Sequence, residues 1–196
     1  MENGGILCEK NIYNMSFPEN GESLLQLKIE IPELGGSAPS LKRIKKFYAK
    51  RLSRIISYYK NAVKRCMRKK DFSGEGYPKT IEFTYELKER SQQCVSVLWK
   101  MRCICDDTEK TRYCAENWDL DTGFLISPPD GFLERRRIKA RLAKELAAKN
   151  EISGRKIRRC IDLSNFYFDS GKMYVFFQPG DILSADRGMI SCAAAW

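Results

Sequence analysis

The chain predicts an α+β fold, with an antiparallel sheet packed against two amphipathic helices, one of them long and basic over about residues 40–70. Three patterns carry this expectation. Apolar and polar residues alternate in several separate stretches, which is the period of half-buried strands. In two other stretches the apolar residues recur at steps of three and four, as on a helix face. The resulting order is strand, long helix, several antiparallel strands, helix, hairpin and strand, without the regular β-α alternation of a parallel sheet.

The elements follow in order. Leu25, Leu27, Ile29 and Ile31 alternate with Gln26, Lys28 and Glu30, a strand expected to end at Pro32. Leu41, Ile44, Tyr48, Leu52, Ile55, Tyr59, Val63 and Cys66 then recur at steps of 3, 4, 4, 3, 4, 4 and 3, one apolar stripe along a long helix. Ser40 is its expected N-cap, with Pro39 marking the boundary, and Asp71-Phe72-Ser73-Gly74 its stop. Ile81, Phe83, Tyr85 and Leu87 alternate with Glu82, Thr84 and Glu86; Cys94 to Cys105 reads as a long strand, and Thr111 to Leu120 as another, closed by Asp121-Thr122-Gly123. A second helix is expected from near Asp130 through Ile138, Leu142 and Leu146 to about Asn150, with Gly154 beyond it. Asn165 to Phe168 and Lys172 to Gln178 flank Asp169-Ser170-Gly171, a hairpin signal with glycine where positive φ is easiest. A last short strand covers Met189 to Ala193. Residues 1–23 form an N-terminal extension and 24–196 the α+β domain, with a sub-boundary at 71–77 where Gly and Pro cluster.

The composition narrows the chemistry. A chain of 196 residues with 43% hydrophobic and 31% charged residues has room for one domain, or two small ones, and can bury a real core. No window approaches the ~18 consecutive apolar residues of a membrane span. Met1-Glu2-Asn3-Gly4-Gly5 has neither the basic nor the apolar region of a signal peptide, so the expectation is a cytoplasmic chain. With no histidine, Ser-His-Asp and Cys-His catalysis and His-bearing metal sites are excluded, and no cofactor is expected. The eight cysteines contain no C-x-x-C pair and read mostly as small buried hydrophobes.

The net charge of +10 is uneven. Ser40 to Lys70 holds thirteen Lys or Arg and no acidic residue, and Glu134 to Arg159 holds eleven basic against three acidic, so the rest of the chain is net acidic. Lys42, Arg43, Lys45, Lys46, Lys50, Arg54, Lys64, Arg65 and Arg68 are the candidate binding residues of the first helix. Three uses fit them: a solvated outer face, a platform for a polyanion such as nucleic acid or another anionic polymer, and a partner helix. Tyr58 and Tyr59 lie among these charges and can stack on bases, though Tyr59 falls on the core stripe. Cys103, Cys105 and Cys114 can approach across two strands, but a metal site needs a fourth ligand, and core packing is the simpler reading. Asp106, Asp107 and Glu109 form an acidic tip with no nucleophile nearby, read as a solvated turn. Asp119 and Asp121 are expected to shape their turn through side-chain to backbone hydrogen bonds.

Three stretches resemble the extracytoplasmic sensor domain of RsiV-type anti-sigma factors, a module of unknown function that recurs in PdaC-type peptidoglycan deacetylases and in many Firmicute proteins. Leu27 to Leu34, containing Pro32, followed by the amphipathic helix is similar to the family's opening strand, Pro-x-Leu turn and helix. Trp118-Asp119-Leu120-Asp121-Thr122-Gly123 is similar to its "(F/W)-D-L-x-T-G" hairpin. Asn165-Phe166-Tyr167-Phe168, Gly171 and Val175 to Pro179 resemble its closing hairpin. Two departures stand out. The family's Gly-Gly-Ala-His-Gly loop is replaced by the acidic Cys105 to Thr111, and its closing "Y-A-P-Y-A-x-G" segment by Asp181 to Gly188. The resemblance implies a sensing module with an unknown protein ligand; lysozyme is the ligand it suggests, disfavoured because lysozymes are themselves basic. The expectation is therefore a binding or sensing module and not an enzyme, with a cytoplasmic polyanion binder acting through the basic helix as the alternative. A deacetylase-type hydrolase is disfavoured, since the resembling module is accessory there and this chain lacks a histidine for the metal.

Overall fold

The computed structural model describes residues 8–19, 23–68, 77–150 and 152–194. The fold is α+β, but its strands form two sheets, and the chain divides into two compact units. The first comprises Met1–Tyr85 with Trp99–Arg112, the second Glu86–Leu98 with Tyr113–Trp196. Five strands, β1 (Cys8–Phe17), β2 (Leu25–Leu34), β3 (Thr80–Arg90), β4 (Cys94–Cys105) and β5 (Thr108–Asp119), pair in sequence order, and the last three run through both units.

In the first unit, β1 pairs antiparallel with β2 along its whole length, from Cys8 opposite Leu34 to Phe17 opposite Leu25. It occupies residues assigned by pattern to an N-terminal extension. Its side chains show why no pattern marks it: Ile12 and Tyr13 are exposed and only Phe17 is buried, so backbone pairing holds this strand with little help from an apolar face. β2 continues past Pro32 to Leu34, because its parallel ladder with β3 covers Gln26 to Ile29 and the proline lies beyond it. That parallel pair corrects the expected all-antiparallel sheet. The long helix α1 (Pro39–Met67) returns the chain to the end of the sheet from which β2 began, so β3 must run the same way.

Helix α1 begins two residues earlier than its expected cap implies. Ala38 is the N-cap, Pro39 takes the first helical turn, and Ser40 lies buried inside the helix instead of capping it. Proline suits that position because its φ is already helical and its missing N–H would have had no partner. The helix ends at Met67, with Arg68 as C-cap; Lys69, Lys70 and the boundary segment 71–76 lie outside the described residues. Leu41, Ile44, Tyr48 and Val63 of the expected stripe are buried, and Leu52, Ile55, Tyr59 and Cys66 are half-buried. The Tyr48 ring meets Trp99 of β4 at 6.0 Å and Tyr59 meets Phe83 of β3 at 6.2 Å. Each large side chain fully buried this way contributes about 1.5–3 kcal/mol.

In the second unit, β6 (Phe166–Asp169), β7 (Lys172–Phe177) and β8 (Ile190–Ala194) form an antiparallel sheet. Helix α2 (Phe132–Asn150) buries Ile138, Leu142, Ala143 and Leu146, and a short α3 (Gly154–Cys160) adds Ile157. These side chains share a core with Phe166, Met173, Val175 and Phe177, so this unit's helices serve the three-stranded sheet. Gly154, expected only to follow α2, starts α3. The β6–β7 hairpin turns through Ser170 (φ +51°) and Gly171 (φ +72°), the two positive φ values of a type I′ turn.

Side chains of this unit cover two strand edges. The Gln178 amide both accepts from the Tyr113 N–H (2.8 Å) and donates to the Tyr113 carbonyl (2.7 Å), standing in for a paired strand beside β5. Along β6, Asn117 Nδ2 donates to the Phe166 carbonyl (2.9 Å) and the Phe168 N–H donates to Ser96 Oγ (3.0 Å). Ser96 Oγ in turn donates to Asn117 Oδ1 at 2.6 Å. Ser96 and Asn117 are both buried. An unpaired strand edge is a liability, and here polar side chains close it from within.

Candidate functional site

The exposed side of α1, turned away from its core stripe, carries a second stripe. Arg43, Phe47, Lys50, Arg54, Tyr58, Asn61, Arg65 and Arg68 follow one another at steps of 4, 3, 4, 4, 3, 4 and 3, and all are exposed. At ~1.5 Å per residue the stripe is about 38 Å long, with a cationic or aromatic side chain on nearly every turn. Phe47 is 37% and Tyr58 61% exposed, large values for aromatic rings. Tyr58 is braced by Tyr59, whose ring lies 5.0 Å away at 89°. Tyr59, half-buried, has its phenol pushed upward in pKa by burial. A shallow cup of about 340 Å³ opens at this end, lined by Tyr58, Asn61, Lys64, Arg65 and Arg68.

The nine candidate cations do not share one fate. Lys42, Arg43, Lys46, Lys50, Arg54, Lys64, Arg65 and Arg68 are exposed. Lys45 is half-buried and its ammonium donates to the Gly36 carbonyl at 3.1 Å, which ties it to the helix entry. Two cations outside the candidate set are also engaged. Lys60 pairs with Glu19 at 2.6 Å and holds that carboxyl below its usual range, and the Arg51 guanidinium lies 4.5 Å from the centre of the Trp99 ring. Tyr58 is legible among the charges in the sequence, whereas Phe47 joins it only once the buried face is known.

The cysteines depart from expectation. Of the eight, Cys192 is buried, Cys114 is exposed and the others are intermediate. Cys103 and Cys105 lie on one face of β4 with sulfurs 4.0 Å apart, and among the described residues no group of His, Cys, Asp or Glu is placed to hold a metal ion. The acidic tip is a tight β4–β5 turn with Asp106 at φ +44°, and β5 starts directly after it at Thr108. Asp106 pairs with Lys79 at 2.6 Å. Glu109 accepts from the Arg102 guanidinium at 2.7 and 2.9 Å, which lowers its pKa to about 2.

In the second unit an open depression of about 540 Å³ is lined in part by Glu89, Cys94, Asp119, Asp121, Ile126 and Phe168. Its carboxylates have structural work: Glu89 accepts from the Gly171 N–H (2.9 Å), and Asp119 Oδ1 accepts from the N–H groups of Asp121 (2.8 Å) and Thr122 (3.1 Å). Burial first, then the charges of Glu89 and Asp119, push the Cys94 thiol up to about 11, which leaves it a poor nucleophile at neutral pH. Asp119 thus shapes its turn as expected, Asp121 enters through its backbone, and Gly123 supplies the positive φ (+69°). Trp118 is buried and bridges to Leu125; Phe166 and Tyr167 are buried, and Pro179 precedes Gly180 at φ +91°. Pro32 and these residues are parts of the scaffold.

No family model matches the chain, and no curated protein matches it. Its fold is shared by a crystal structure of a DUF3298 family protein from Pseudomonas aeruginosa PAO1, with a TM-score of 0.66 and 9% identity over 96% of this chain and 90% of that one. A member of the same family from Bacteroides fragilis NCTC 9343 matches with a TM-score of 0.59 and 11% identity over 98% of this chain and 91% of that one. At such identities the likeness is one of fold, and the family they belong to is a domain of unknown function.

Proposed function

We propose that this chain holds a ligand without converting it, and that it does so on the outer face of α1, which takes a polyanion. The observation that carries this reading is the exposed stripe from Arg43 to Arg68, in a stretch of sequence, Ser40 to Lys70, that contains no acidic residue. Neutralising about five phosphates through Lys50, Arg54, Lys64, Arg65 and Arg68 gives a salt slope near −3.5 for a single strand, or a loss of roughly 100-fold between 50 and 200 mM salt. The test is fluorescence anisotropy with labelled heparin and with mixed-sequence oligonucleotides, for the native chain and for a Lys46→Glu, Arg54→Glu, Lys64→Glu variant. These three are exposed, whereas Lys45 is left in place because reversing it would also disturb the helix entry. Expected are binding at 50 mM salt and a loss of at least about tenfold in the variant with unchanged circular dichroism. No binding of any polyanion at 50 mM salt, or equal binding by both chains, overturns the reading.

A second reading, sensing of a protein as in RsiV-type domains, is favoured by where the resembling motifs fall. Leu27 to Leu34 lead through a turn into α1, Asp119 to Gly123 form the expected tight turn, and Phe166 to Phe177 form the expected hairpin. Retention on an immobilised lysozyme column at low salt tests it directly, and passage without retention removes that ligand.

A further inference from the structure

Resting on the polyanion reading of α1, we infer that the ligand is a single-stranded nucleic acid whose bases stack on Tyr58 and Phe47 while its phosphates follow the cations between and beyond them. A row of lysines and arginines alone would suit any anionic polymer. What it does not need is exposed aromatic rings set among the charges, and here Phe47 and Tyr58 lie eleven residues apart on the same face, about 16 Å along the axis. Lys50 and Arg54 lie between the two rings, and Asn61, Arg65 and Arg68 continue beyond Tyr58. Interleaved cations and aromatic faces are the general means of holding a strand whose bases are unpaired, because every base offers a π-face.

The geometry separates this ligand from its competitors. A duplex keeps its bases stacked on one another and offers a helix in its groove only phosphates and base edges, so exposed aromatic rings find no base face to stack on. Heparin and other sulfated polymers carry charge but no aromatic plane. An anionic membrane attracts amphipathic helices by their apolar face, and in α1 that face is already buried through Leu41, Ile44, Tyr48 and Val63. The cup beside Tyr58, of about 340 Å³ with Asn61, Lys64, Arg65 and Arg68 around it, gives one nucleotide a place where base stacking, an amide and three positive charges converge. Tyr58 is suited to this because the Tyr59 ring fixes it edge to face and Tyr59 is in turn seated against Phe83. A stripe about 38 Å long matches footprints within the ordinary range of about 4–16 nucleotides.

The experiment compares five probes on the full chain: a mixed-sequence single strand of about twelve nucleotides as RNA and as DNA, the same backbone without bases, the corresponding duplex, and vesicles containing anionic lipid. The expected result is that the base-bearing single strands bind tightest, and binding by either sugar supports the inference. Tyr58→Ala is expected to weaken the base-bearing strands by roughly 5- to 150-fold, the range of one base–aromatic stack, while leaving the abasic strand unchanged. Tyr58→Phe is expected to restore binding, since the ring and not the hydroxyl is used. Equal affinity for the abasic and base-bearing strands, tighter binding of duplex or vesicles, or indifference to Tyr58→Ala overturns the inference while leaving the polyanion reading intact. Failure of every probe at 50 mM salt ends this inference, and failure of heparin as well ends the polyanion reading.

Discussion

The Ser96–Asn117 pair offers the sharpest test of what holds the second unit together. Both side chains are buried, at 0% and 3% exposure, and together they serve two backbone groups on the open edge of β6. Asn117→Ala removes the donor to the Phe166 carbonyl and the acceptor for the Ser96 hydroxyl. A buried polar group left without its partner costs about 1–3 kcal/mol, so two such groups predict a loss of about 2–6 kcal/mol. Ser96→Ala strands the Phe168 N–H and the Asn117 oxygen, with a similar expected loss. The double variant should cost less than the sum, because the Ser96–Asn117 bond is removed by either change; a coupling of about 1–2 kcal/mol is expected.

Urea unfolding followed by circular dichroism measures this, with a shift in midpoint at unchanged slope as the signature of a native-state loss. Asn117→Asp is the informative control. It keeps the volume and the acceptor for Ser96, but at neutral pH it places a carboxylate against the Phe166 carbonyl. Burial would raise its folded pKa, so the penalty should shrink as pH falls and the carboxyl regains a proton to donate. An Asn117→Ala chain within about 0.5 kcal/mol of the native one, or strictly additive losses, would show that the β6 edge does not depend on these side chains.

Two further outcomes follow from single residues. Glu109, held to a pKa of about 2 by Arg102, should stay ionised in a carbon-13 shift titration down to about pH 3, and the contribution of this pair, present at neutral pH, should fade as pH drops from the ordinary carboxyl range through about 2. Arg102→Gln should return Glu109 toward that ordinary range, and a native Glu109 already titrating there would mean the pair does not form in solution. Cys94 and Cys192, each pushed up to about 11 primarily by burial, should react last with a thiol-specific disulfide reagent at pH 8, after the exposed Cys114, and equal rates would contradict the burial. Their preference for the protonated thiol adds stability that is complete below the usual thiol range and is lost as pH rises from there toward 11.

What could be read from the amino acids alone was what repeats locally. The β4 strand shows itself as a run of apolar and β-forming residues between turn signals, and its bounds, Cys94 to Cys105, are those expected. The β6–β7 hairpin is legible because Asp169-Ser170-Gly171 is compatible with little else. β1 was not, since Ile12 and Tyr13 face solvent, only Phe17 is buried, and its stability lies largely in hydrogen bonds to β2, which leave no mark on side-chain pattern. The parallel pairing of β2 with β3 depends on where a 29-residue helix delivers the chain, a property of length and packing with no local signature. The division into two sheets escaped for a similar reason: alternation reports that a strand has an apolar face, and is silent on which helix covers it.

The α1 site lay between these cases. The cations were visible as charge, but charge counted along a segment has no direction, and so Lys45 stood equal to Lys46 although one is drawn to the Gly36 carbonyl and the other faces water. Direction comes from the core stripe. Once Ile44, Tyr48 and Val63 are taken as the buried face, the direction of every other residue is fixed, and Phe47 and Tyr58, each about 100° from a neighbouring tyrosine of the core stripe, fall among the cations while Tyr59 is turned toward the sheet. The same helix thus keeps two independent stripes. Its apolar side, with Pro39 at its start, builds the first unit, and its outer side can be altered without touching that core. This separation is what lets charge reversal or loss of the Tyr58 ring report on binding instead of on folding. It also means that a variant of the outer stripe that did unfold would count against the assignment of the two faces themselves.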